Sequence, residues 1–461
     1  MSATWALISA CAIVLVLPIA WRVKQHRFDP FEPIVLFGLA YGAMFVVRPA
    51  AMLIRGERWF WDLDVLPTLP RALMLALVGA VVFVVGYAHR AGSALAKRLP
   101  APARIDSRAA TSGALATTAV AIVALLVFLP LTNSSESVRV LLGGRSDELG
   151  EALRGSSTYV VYATFLFAPA ALLLVGVALR SRDARRWGLA AVVLMLALAR
   201  VTPSGGRIVL LPLVGGIFVL VYVMRGKRPS VPLLGAIGVV ALLSSFVLLY
   251  VRDTTDDLTF DTAVQELENR PYAVLDPVLR GADAEMVLAL SAGLSVIPDE
   301  LGHRWGGATI GNLVTRPIPR ELWASKPLPP GQEVVVTVWP QHYPSLDPAF
   351  SPLLVLYWDF ALPGVAVGMA LFGLLARVLY AWFLRHRDEF GAQLLFAATL
   401  WFVVIGARND PVDTIVLAAF LVGPVVAVVI LASDRVANRS LASRRSRATA
   451  GEPGSTQGRI S

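Results

Sequence analysis

The chain alternates between long apolar runs and short polar connections. About eleven of the runs have the length needed to cross ~30 Å of hydrocarbon as an α-helix. They occupy residues 4–21, 32–47, 69–88, 111–131, 158–179, 187–203, 207–224, 231–250, 352–383, 390–406 and 411–432. This pattern predicts an all-α polytopic membrane protein with about 11 transmembrane helices.

One polar stretch, residues 251–350, is too long to be a simple connector. It starts acidic, turns basic after Arg280, and carries enough aromatic and apolar residues to indicate that it folds. Within it, residues 283–295 have the pattern of a short amphipathic helix with an acidic first turn. The predicted organisation has four parts. A bundle of about eight helices (1–250) is followed by a partly helical extracytoplasmic loop domain (251–350), about three further helices (351–432) and a disordered basic tail (433–461).

The composition supports the membrane class and excludes several others. The chain is 56% hydrophobic and 16% charged, with a mean hydropathy of +0.66, which is too apolar for an ordinary soluble domain. The net charge of +9 does not indicate a nucleic-acid partner, because the basic residues form short clusters between apolar runs. The single cysteine, Cys11, excludes an intrachain disulfide and a cysteine-built metal site, and the five histidines lack zinc-type spacing. We expect no metal and no cofactor.

The basic clusters also predict the topology. They fall on alternate connections between the apolar runs, which is the distribution expected of cytoplasmic loops. We therefore expect a multi-pass protein of the cytoplasmic membrane, with an extracytoplasmic N-terminus and loop 251–350 and a cytoplasmic C-terminus. The clusters lie at residues 22–27, 90–108, 180–186, 225–228, 385–387 and 435–447.

A basic island lies at the centre of the long loop, at residues 303–327. Its cations outnumber its single acid, Glu321, and two tight turns on the same predicted side add Arg207 and Arg408. Because a guanidinium group matches two phosphate oxygens at once, this arrangement favours an anionic ligand such as a lipid-linked pyrophosphate. An alternative for Arg207 is that it snorkels to the lipid headgroups. The cations of the island are His303, Arg304, Arg316, Arg320 and Lys326.

Aromatic residues accompany the island. Trp305, Trp323, Trp339 and Tyr343 offer flat apolar rings on which sugar faces could stack. An interfacial belt, or the core of the loop itself, explains the tryptophans equally well.

Several blocks resemble the Wzy-type polymerases of O-antigen, capsule or exopolysaccharide repeat units. Ile318–Pro327 (IPRELWASKP) is similar to a run that this family carries in its large outer loop, and it follows the glycine-bearing block 306–312. Ser351–Tyr357 and then Phe360–Met369 are similar to the family's next helix, which begins with a phenylalanine–glycine turn. Ala361 here stands where that turn would have glycine. The Ser-Gly-Gly-Arg turn that ends at Arg207 also fits, so the matching blocks cover about residues 200–380.

The resemblance implies a GT-C-like, metal-independent glycosyltransferase. Such an enzyme joins undecaprenyl-pyrophosphate-linked oligosaccharides at the outer leaflet and releases undecaprenyl pyrophosphate. A chain-length regulator and a flippase of the same pathway would be its partners, beside the lipid bilayer. The outer-loop arginines would hold the pyrophosphate, with Arg207 and Arg320 as the first catalytic candidates. The expected substrate-binding residues are Arg280, Arg316, Lys326, Arg408, Trp323 and Tyr357.

A general base would deprotonate the acceptor hydroxyl. His303 is the first candidate, followed by Asp299, Glu300 and Asp410. Short patterns around Arg207 and His303 also match O-antigen ligases, which use the same chemistry on a lipid or protein acceptor. An alternative that is not an enzyme is a lipid-linked glycan flippase or exporter. A path for a glycan across the bilayer needs charged residues inside the helices, and the apolar runs carry few of them. A further alternative is a membrane-bound sensor or assembly scaffold.

Overall fold

The computed structural model is helical almost throughout the part of the chain that it describes. Residues 128–131, 157–158 and 207 are described by their backbone alone. The described residues are 2–102, 105–131, 157–181, 183–201, 207–230, 232–240, 243, 268–270, 275, 285–318, 322–343 and 349–432.

Nineteen helices are labelled here in chain order. The first eleven are α1 (Ser2–Lys24), α2 (Pro33–Gly42), α3 (Arg48–Arg55), α4 (Leu69–Ala88), α5 (Arg90–Arg98), α6 (Ser107–Leu131), α7 (Ser157–Thr164), α8 (Phe167–Ser181), α9 (Ala184–Val201), α10 (Arg207–Leu210) and α11 (Gly216–Met224). The others are α12 (Met286–Val296), α13 (Asn312–Thr315), α14 (Pro330–Val338), α15 (Pro352–Arg385), α16 (Phe390–Thr399), α17 (Phe402–Arg408), α18 (Pro411–Leu421) and α19 (Gly423–Ala432). Three single π-helical turns are present among the described residues. Ala43–Val47 joins α2 to α3, Leu211–Gly215 joins α10 to α11, and Gly307–Gly311 directly precedes α13. A two-residue hairpin, β1 (Trp59–Phe60) and β2 (Leu63–Asp64), pairs Trp59 with Asp64.

The membrane class is confirmed, whereas the count of eleven spans is not. Seven helical stretches of the described chain are long and apolar enough to cross a membrane, and α18 with α19, bent by 42°, would make eight. Of the other predicted runs, 187–203 corresponds to α9 and 207–224 to the shorter apolar helix Ile208–Met224, while most of 231–250 lies outside the described residues. The seven stretches are Ser2–Lys24, Pro33–Arg55, Leu69–Ala88, Ser107–Val127, Tyr159–Ser181, Pro352–Arg385 and Phe390–Arg408.

The helix α15 folds back on itself at a sharp corner. Its backbone leaves helical geometry at Phe360 (φ −136°) and at Ala361 (φ +53°, ψ −148°). Residues 352–360, the short arm, then pack against residues 361–385, the long arm. A Cβ atom built on Gly364 would collide with the backbone of Leu356, and one on Gly368 would lie 2.5 Å from Leu356 Cδ1. In a straight helix these positions would be about 12 Å or more apart along the axis.

Both arms of α15 pack along α4. A Cβ atom on Gly79, near the middle of α4, would lie 2.7 Å from Leu353 Cδ2 on the short arm and 3.6 Å from Met369 Cγ on the long arm. The short arm therefore reaches about half-way along α4. Such a re-entrant segment is tolerated at membrane depth because the surrounding protein, rather than lipid, contacts it.

Much of the described part of the long loop is buried in the same core as the N-terminal helices. The segment predicted as an amphipathic helix is α12, and ten of its eleven residues are buried. The prediction of a polar face was wrong for this helix, because it is enclosed by α4, α14 and α15. One hydrophobic cluster contains residues of α1–α4, α12, α14 and the short arm, and a second contains residues of α6, α8, α9, α11, α16 and α18.

The basic ends of several helices meet at one end of the bundle. Glu32 accepts hydrogen bonds from Arg22 and Tyr87 at 2.9 Å each, which joins the end of α1 and the end of α4 to the start of α2. Asp29 accepts the Tyr380 hydroxyl at 2.9 Å and lies 3.6 Å from Arg228. The clusters after α1, α4, α11 and α15 are thus on one side, as their alternation along the chain predicts. We refer to this side as the basic end.

Candidate functional site

The corner of α15 holds the first part of the basic island at the opposite end of the bundle. The backbone N–H of Arg304 donates to the Trp358 carbonyl and that of Trp305 to the Asp359 carbonyl, each at 3.0 Å. The Trp358 indole in turn donates to the Gly302 carbonyl at 2.9 Å. These bonds align residues 302–305 beside the end of the short arm. The first part of the island is therefore fixed to the bundle.

A buried carboxylate at the corner fixes the next helical segment. Asp359 is fully buried and accepts the backbone N–H groups of Ala308 and Thr309 at 2.8 Å each, and the Thr309 hydroxyl at 2.5 Å. Helix N-termini leave their first N–H groups without partners, and a negative charge there is favourable. Asp359 therefore caps the segment Gly307–Thr315 from a distant part of the chain.

The His303 ring is held in one tautomer. Its Nδ1 lies 3.1 Å from the Trp358 carbonyl oxygen, which can only accept, so Nδ1 carries the proton. In the neutral ring Nε2 is then the hydrogen-bond acceptor. The ring lies edge-on to Tyr357 with a centroid distance of 5.7 Å, and it is half-buried. This is the protonation pattern that a general base requires.

Tyr357 links this group to α4. Arg71, in the first turn of α4, donates to the Tyr357 hydroxyl at 2.5 Å, and its guanidinium carbon lies 5.3 Å from the centre of the Tyr357 ring. The same guanidinium group contacts the Leu294 carbonyl at 3.5 Å. Arg71 thus joins the start of α4, the end of α12 and the short arm, and its partner Tyr357 also contacts His303.

A second polar group forms where the island meets α18. Arg316, directly after α13, forms an ion pair with Asp413 at 2.6 Å. The Arg316 carbonyl accepts the Tyr159 hydroxyl and the Lys326 ammonium, the latter at 3.2 Å, and Lys326 also donates to the Ile318 carbonyl at 2.8 Å. Residues 316–318 and Lys326 are therefore joined to the start of α7 and the start of α18 at the non-basic end.

Asp410 lies beside this ion pair and caps α18. Its carboxylate accepts the backbone N–H groups of Val412 at 2.7 Å and Asp413 at 2.9 Å. Burial, together with the neighbouring negative charge of Asp413, raises the pKa of Asp410 to about 8. The turn that carries Arg408, whose side chain donates to Asn409 at 2.8 Å, precedes it.

The sequence-predicted residues fall into three sets. His303 and Tyr357 lie together at the corner, and Arg316 and Lys326 lie together beside the turn that carries Arg408 and Asp410. Trp323 is half-buried and donates to the Ser325 hydroxyl at 3.0 Å, while Asp299 and Glu300 are exposed in the turn after α12. The third set, Arg280, Arg320 and the side chain of Arg207, lies outside the described residues, as do Glu321 and the disordered tail predicted at 433–461.

Three residues of this end were missed by sequence reasoning. Arg71 was counted as part of the apolar run 69–88 and was not considered as a site residue, although an arginine in the first turn of a spanning helix can indicate a functional site. Asp359 lies inside the apolar run 352–383. An ionisable residue in a membrane span costs free energy, so its presence there indicates a specific role. Arg200, at the end of α9, is buried and donates to the Thr164 hydroxyl at 2.8 Å.

The described residues contain no group of three or more His, Cys, Asp or Glu side chains placed to hold a metal ion. What this end of the bundle offers instead is fixed arginine side chains, a histidine with an accepting nitrogen and a carboxyl group of raised pKa. Comparison with protein-family models, with curated proteins and with solved structures gives no match to this chain.

Proposed function

We propose that this protein is a membrane glycosyltransferase that polymerises polyprenyl-diphosphate-linked oligosaccharide repeat units into a surface polysaccharide. The observation that carries the proposal is the arrangement around His303. A histidine with an accepting Nε2 lies beside Tyr357, whose hydroxyl accepts from Arg71, at the end of the bundle opposite to the basic end. If the basic end is cytoplasmic, as the distribution of Lys and Arg favours, this group faces the extracytoplasmic side.

The proposed reaction transfers a glycan from one lipid carrier to the sugar of another. The acceptor hydroxyl attacks the anomeric carbon of the donor, and a new C–O bond forms there. The bond between that carbon and the diphosphate oxygen breaks, and the polyprenyl diphosphate leaves with the electron pair. The hydroxyl proton passes to Nε2 of His303. A positioned base of this kind contributes about 10²–10⁴-fold to the rate.

Negative charge grows on the departing diphosphate, and guanidinium groups that are already in place stabilise it. Arg71, Arg316 and Arg408 are the arginines with described side chains for this role, with Arg207, Arg280 and Arg320 proposed from the resemblance. Arg316 would exchange its ion pair with Asp413 for one with the diphosphate. Trp323 is the proposed sugar-stacking residue.

The first test is deletion of the gene followed by sizing of the surface polysaccharide on a gel. The proposal predicts products that carry a single repeat unit. Long chains that are not attached to their acceptor would instead indicate a ligase, and complete absence of glycan would indicate a flippase or exporter. An unchanged ladder would overturn all three.

The second test complements the deletion strain with point variants. We expect His303→Gln, Arg320→Ala and Arg207→Ala to give the single-repeat phenotype at normal protein level. Lysine at 207 or 320 should not restore full activity, because it lacks the planar fork. Arg387→Ala is the matched control, since Arg387 is 69% exposed and follows α15 at the basic end. Full-length polymer from the His303 and Arg variants would refute the assigned site.

A further inference from the structure

The segment that leads to Arg316 exposes a row of large apolar side chains. Trp305 is 76% exposed, Ile310 64% and Val314 67%. Ile310 and Val314 are four residues apart in a helical stretch, so they lie on one face, and Ile318 follows at the same interval. Soluble surfaces rarely group residues of this kind, and such a patch marks an interaction surface.

The opposite face of this segment is anchored to the protein. Ala308 is buried, and its N–H group and that of Thr309 donate to Asp359 at 2.8 Å. The exposed row is therefore the outward side of an element whose orientation is fixed by the core.

This outward row is continuous with the surface of α15 that faces away from the protein. A Cβ atom on Gly306 would lie 3.4 Å from Phe360 Cζ and 3.7 Å from Ile310 Cδ1, so the corner and the segment share one apolar surface. Along the long arm the row goes on at four-residue intervals, with Val367, Leu371 and Leu375 exposed by 61%, 52% and 65%. A helix of a membrane bundle presents such a row to lipid.

The length of the long arm sets the depth of the corner. The 24 helical residues 362–385 span about 36 Å, and the hydrocarbon core is about 30 Å thick. The long arm therefore crosses the bilayer by itself, and the corner lies at the membrane boundary. Trp305, next to that corner, is at the level where tryptophan is favoured in membrane proteins.

We propose that residues 305–318 lie in the lipid–water interface, with Ile310, Val314 and Trp305 inserted at the boundary between headgroups and acyl chains. Segments of this kind enter the interface by about 5–10 Å. The inference does not depend on the proposed enzymatic function. Its consequence is that Arg316 lies at the depth of the lipid headgroups, where the diphosphate of a lipid-linked molecule would also lie.

The test measures the depth of a fluorophore in vesicles. Cys11 is the only cysteine, so Cys11→Ser gives a background in which Ile310→Cys and Val314→Cys are labelled singly. The full chain is reconstituted in phosphatidylcholine vesicles that carry spin-labelled lipids with the label near the headgroup or near the chain end. Leu371→Cys is the control for the bilayer interior, and Asp388→Cys, whose side chain is 96% exposed, is the control for water.

We expect both labels to be quenched more by the shallow spin label than by the deep one, and only weakly by aqueous iodide. Leu371→Cys should respond most to the deep label and Asp388→Cys mainly to iodide. Labels at 310 and 314 that are quenched like Asp388→Cys would overturn the proposal. Labels that neither lipid nor iodide quenches would also overturn it, because the row would then be covered by protein. Two labelled positions keep the test decisive if one variant fails to assemble.

Discussion

At the scale of single residues, the candidate site depends on side chains that connect distant parts of the chain. Asp359 belongs to α15 but caps the segment Gly307–Thr315, about fifty positions earlier. Arg71 and Tyr357 are separated by 286 positions and share a hydrogen bond. None of these pairings follows from sequence spacing. The first positions a segment of the basic island, and the second positions Tyr357, whose ring contacts His303.

Asp359→Ala should destabilise the protein strongly. The substitution leaves two backbone N–H groups and the Thr309 hydroxyl without their acceptor in a buried place, and each such group costs about 1–3 kcal/mol. Asp359→Asn should cost less, because it keeps one accepting oxygen. The measurement is the Tm of the purified protein in detergent, with Asp388→Ala as the exposed control. An Asp359→Ala variant with an unchanged Tm would contradict the capping role.

The raised pKa of Asp410 predicts a dependence of stability on pH. An aspartate of the unfolded chain has a pKa near 3.9, whereas burial and the neighbouring Asp413 raise the pKa of Asp410 in the folded protein to about 8, so the folded state binds the proton more tightly. Stability should therefore fall as the pH rises from about 4 to about 8. Asp410→Asn, which can still accept the N–H groups of α18, should make this decline smaller. We expect the Tm of the variant to exceed that of the parent at pH 8 and above; parallel Tm curves would refute the assignment.

At the scale of elements, the corner of α15 decides where the island lies. The short arm, folded back on the long arm, carries Trp358 and Asp359 to the residues that they bind. Ala361 makes this possible in a backbone conformation, φ +53° and ψ −148°, that L-residues rarely adopt. The resemblance to Wzy-type proteins indicates a glycine at this position, which is the residue such a corner favours.

Ala361→Gly should therefore be neutral or stabilising. Relief of the strained torsion, worth about 1–3 kcal/mol, offsets the loss of about 0.4–1 kcal/mol from the greater freedom of glycine in the unfolded chain. Ala366→Gly, in the regular part of the long arm, is the control and should lower stability by about 0.5–1 kcal/mol. The relative Tm values of the two variants give the answer. Equal destabilisation by both would show that position 361 carries no strain.

At the scale of the whole molecule, the two ends of the bundle differ in character. The ends of α1, α4, α11 and α15 meet around Asp29 and Glu32 and carry the basic clusters. The other end holds His303, Arg316 and the hairpin β1–β2. Since cytoplasmic connections collect Lys and Arg, the first end is expected in the cytoplasm and the second outside.

Labelling of single cysteines in intact cells checks this orientation. In the Cys11→Ser background, Asp62→Cys lies in the hairpin with a 69% exposed side chain, and Asp388→Cys follows α15. An impermeant thiol reagent should modify the first in intact cells and the second only after the cells are opened. The reverse result would invert the topology and remove the proposed site from the extracytoplasmic face.

The apolar runs alone determined where most spanning helices lie, because a chain in hydrocarbon must satisfy its backbone hydrogen bonds internally. Runs 4–21 and 69–88 became α1 and α4 almost residue for residue. The same rule failed for 352–383, which has the composition of one span yet contains a span and a re-entrant arm. Periodicity also misled at 283–295, where an amphipathic helix was predicted and ten of the eleven residues of α12 are buried.

Residue types likewise identified part of the candidate site, since the side-chain chemistry of His303, Arg316 and Lys326 is the same in any conformation of the loop. Only the tertiary structure decided that Nδ1 of His303 donates to the Trp358 carbonyl, that Arg316 pairs with Asp413 and that Arg71 donates to Tyr357. The reason is physical. The length and polarity of a run are local properties, whereas the corner at Ala361 is held by hydrogen bonds that the Asp359 carboxylate and the Trp358 carbonyl accept from residues about fifty positions away. Such bonds exist only once the chain has folded.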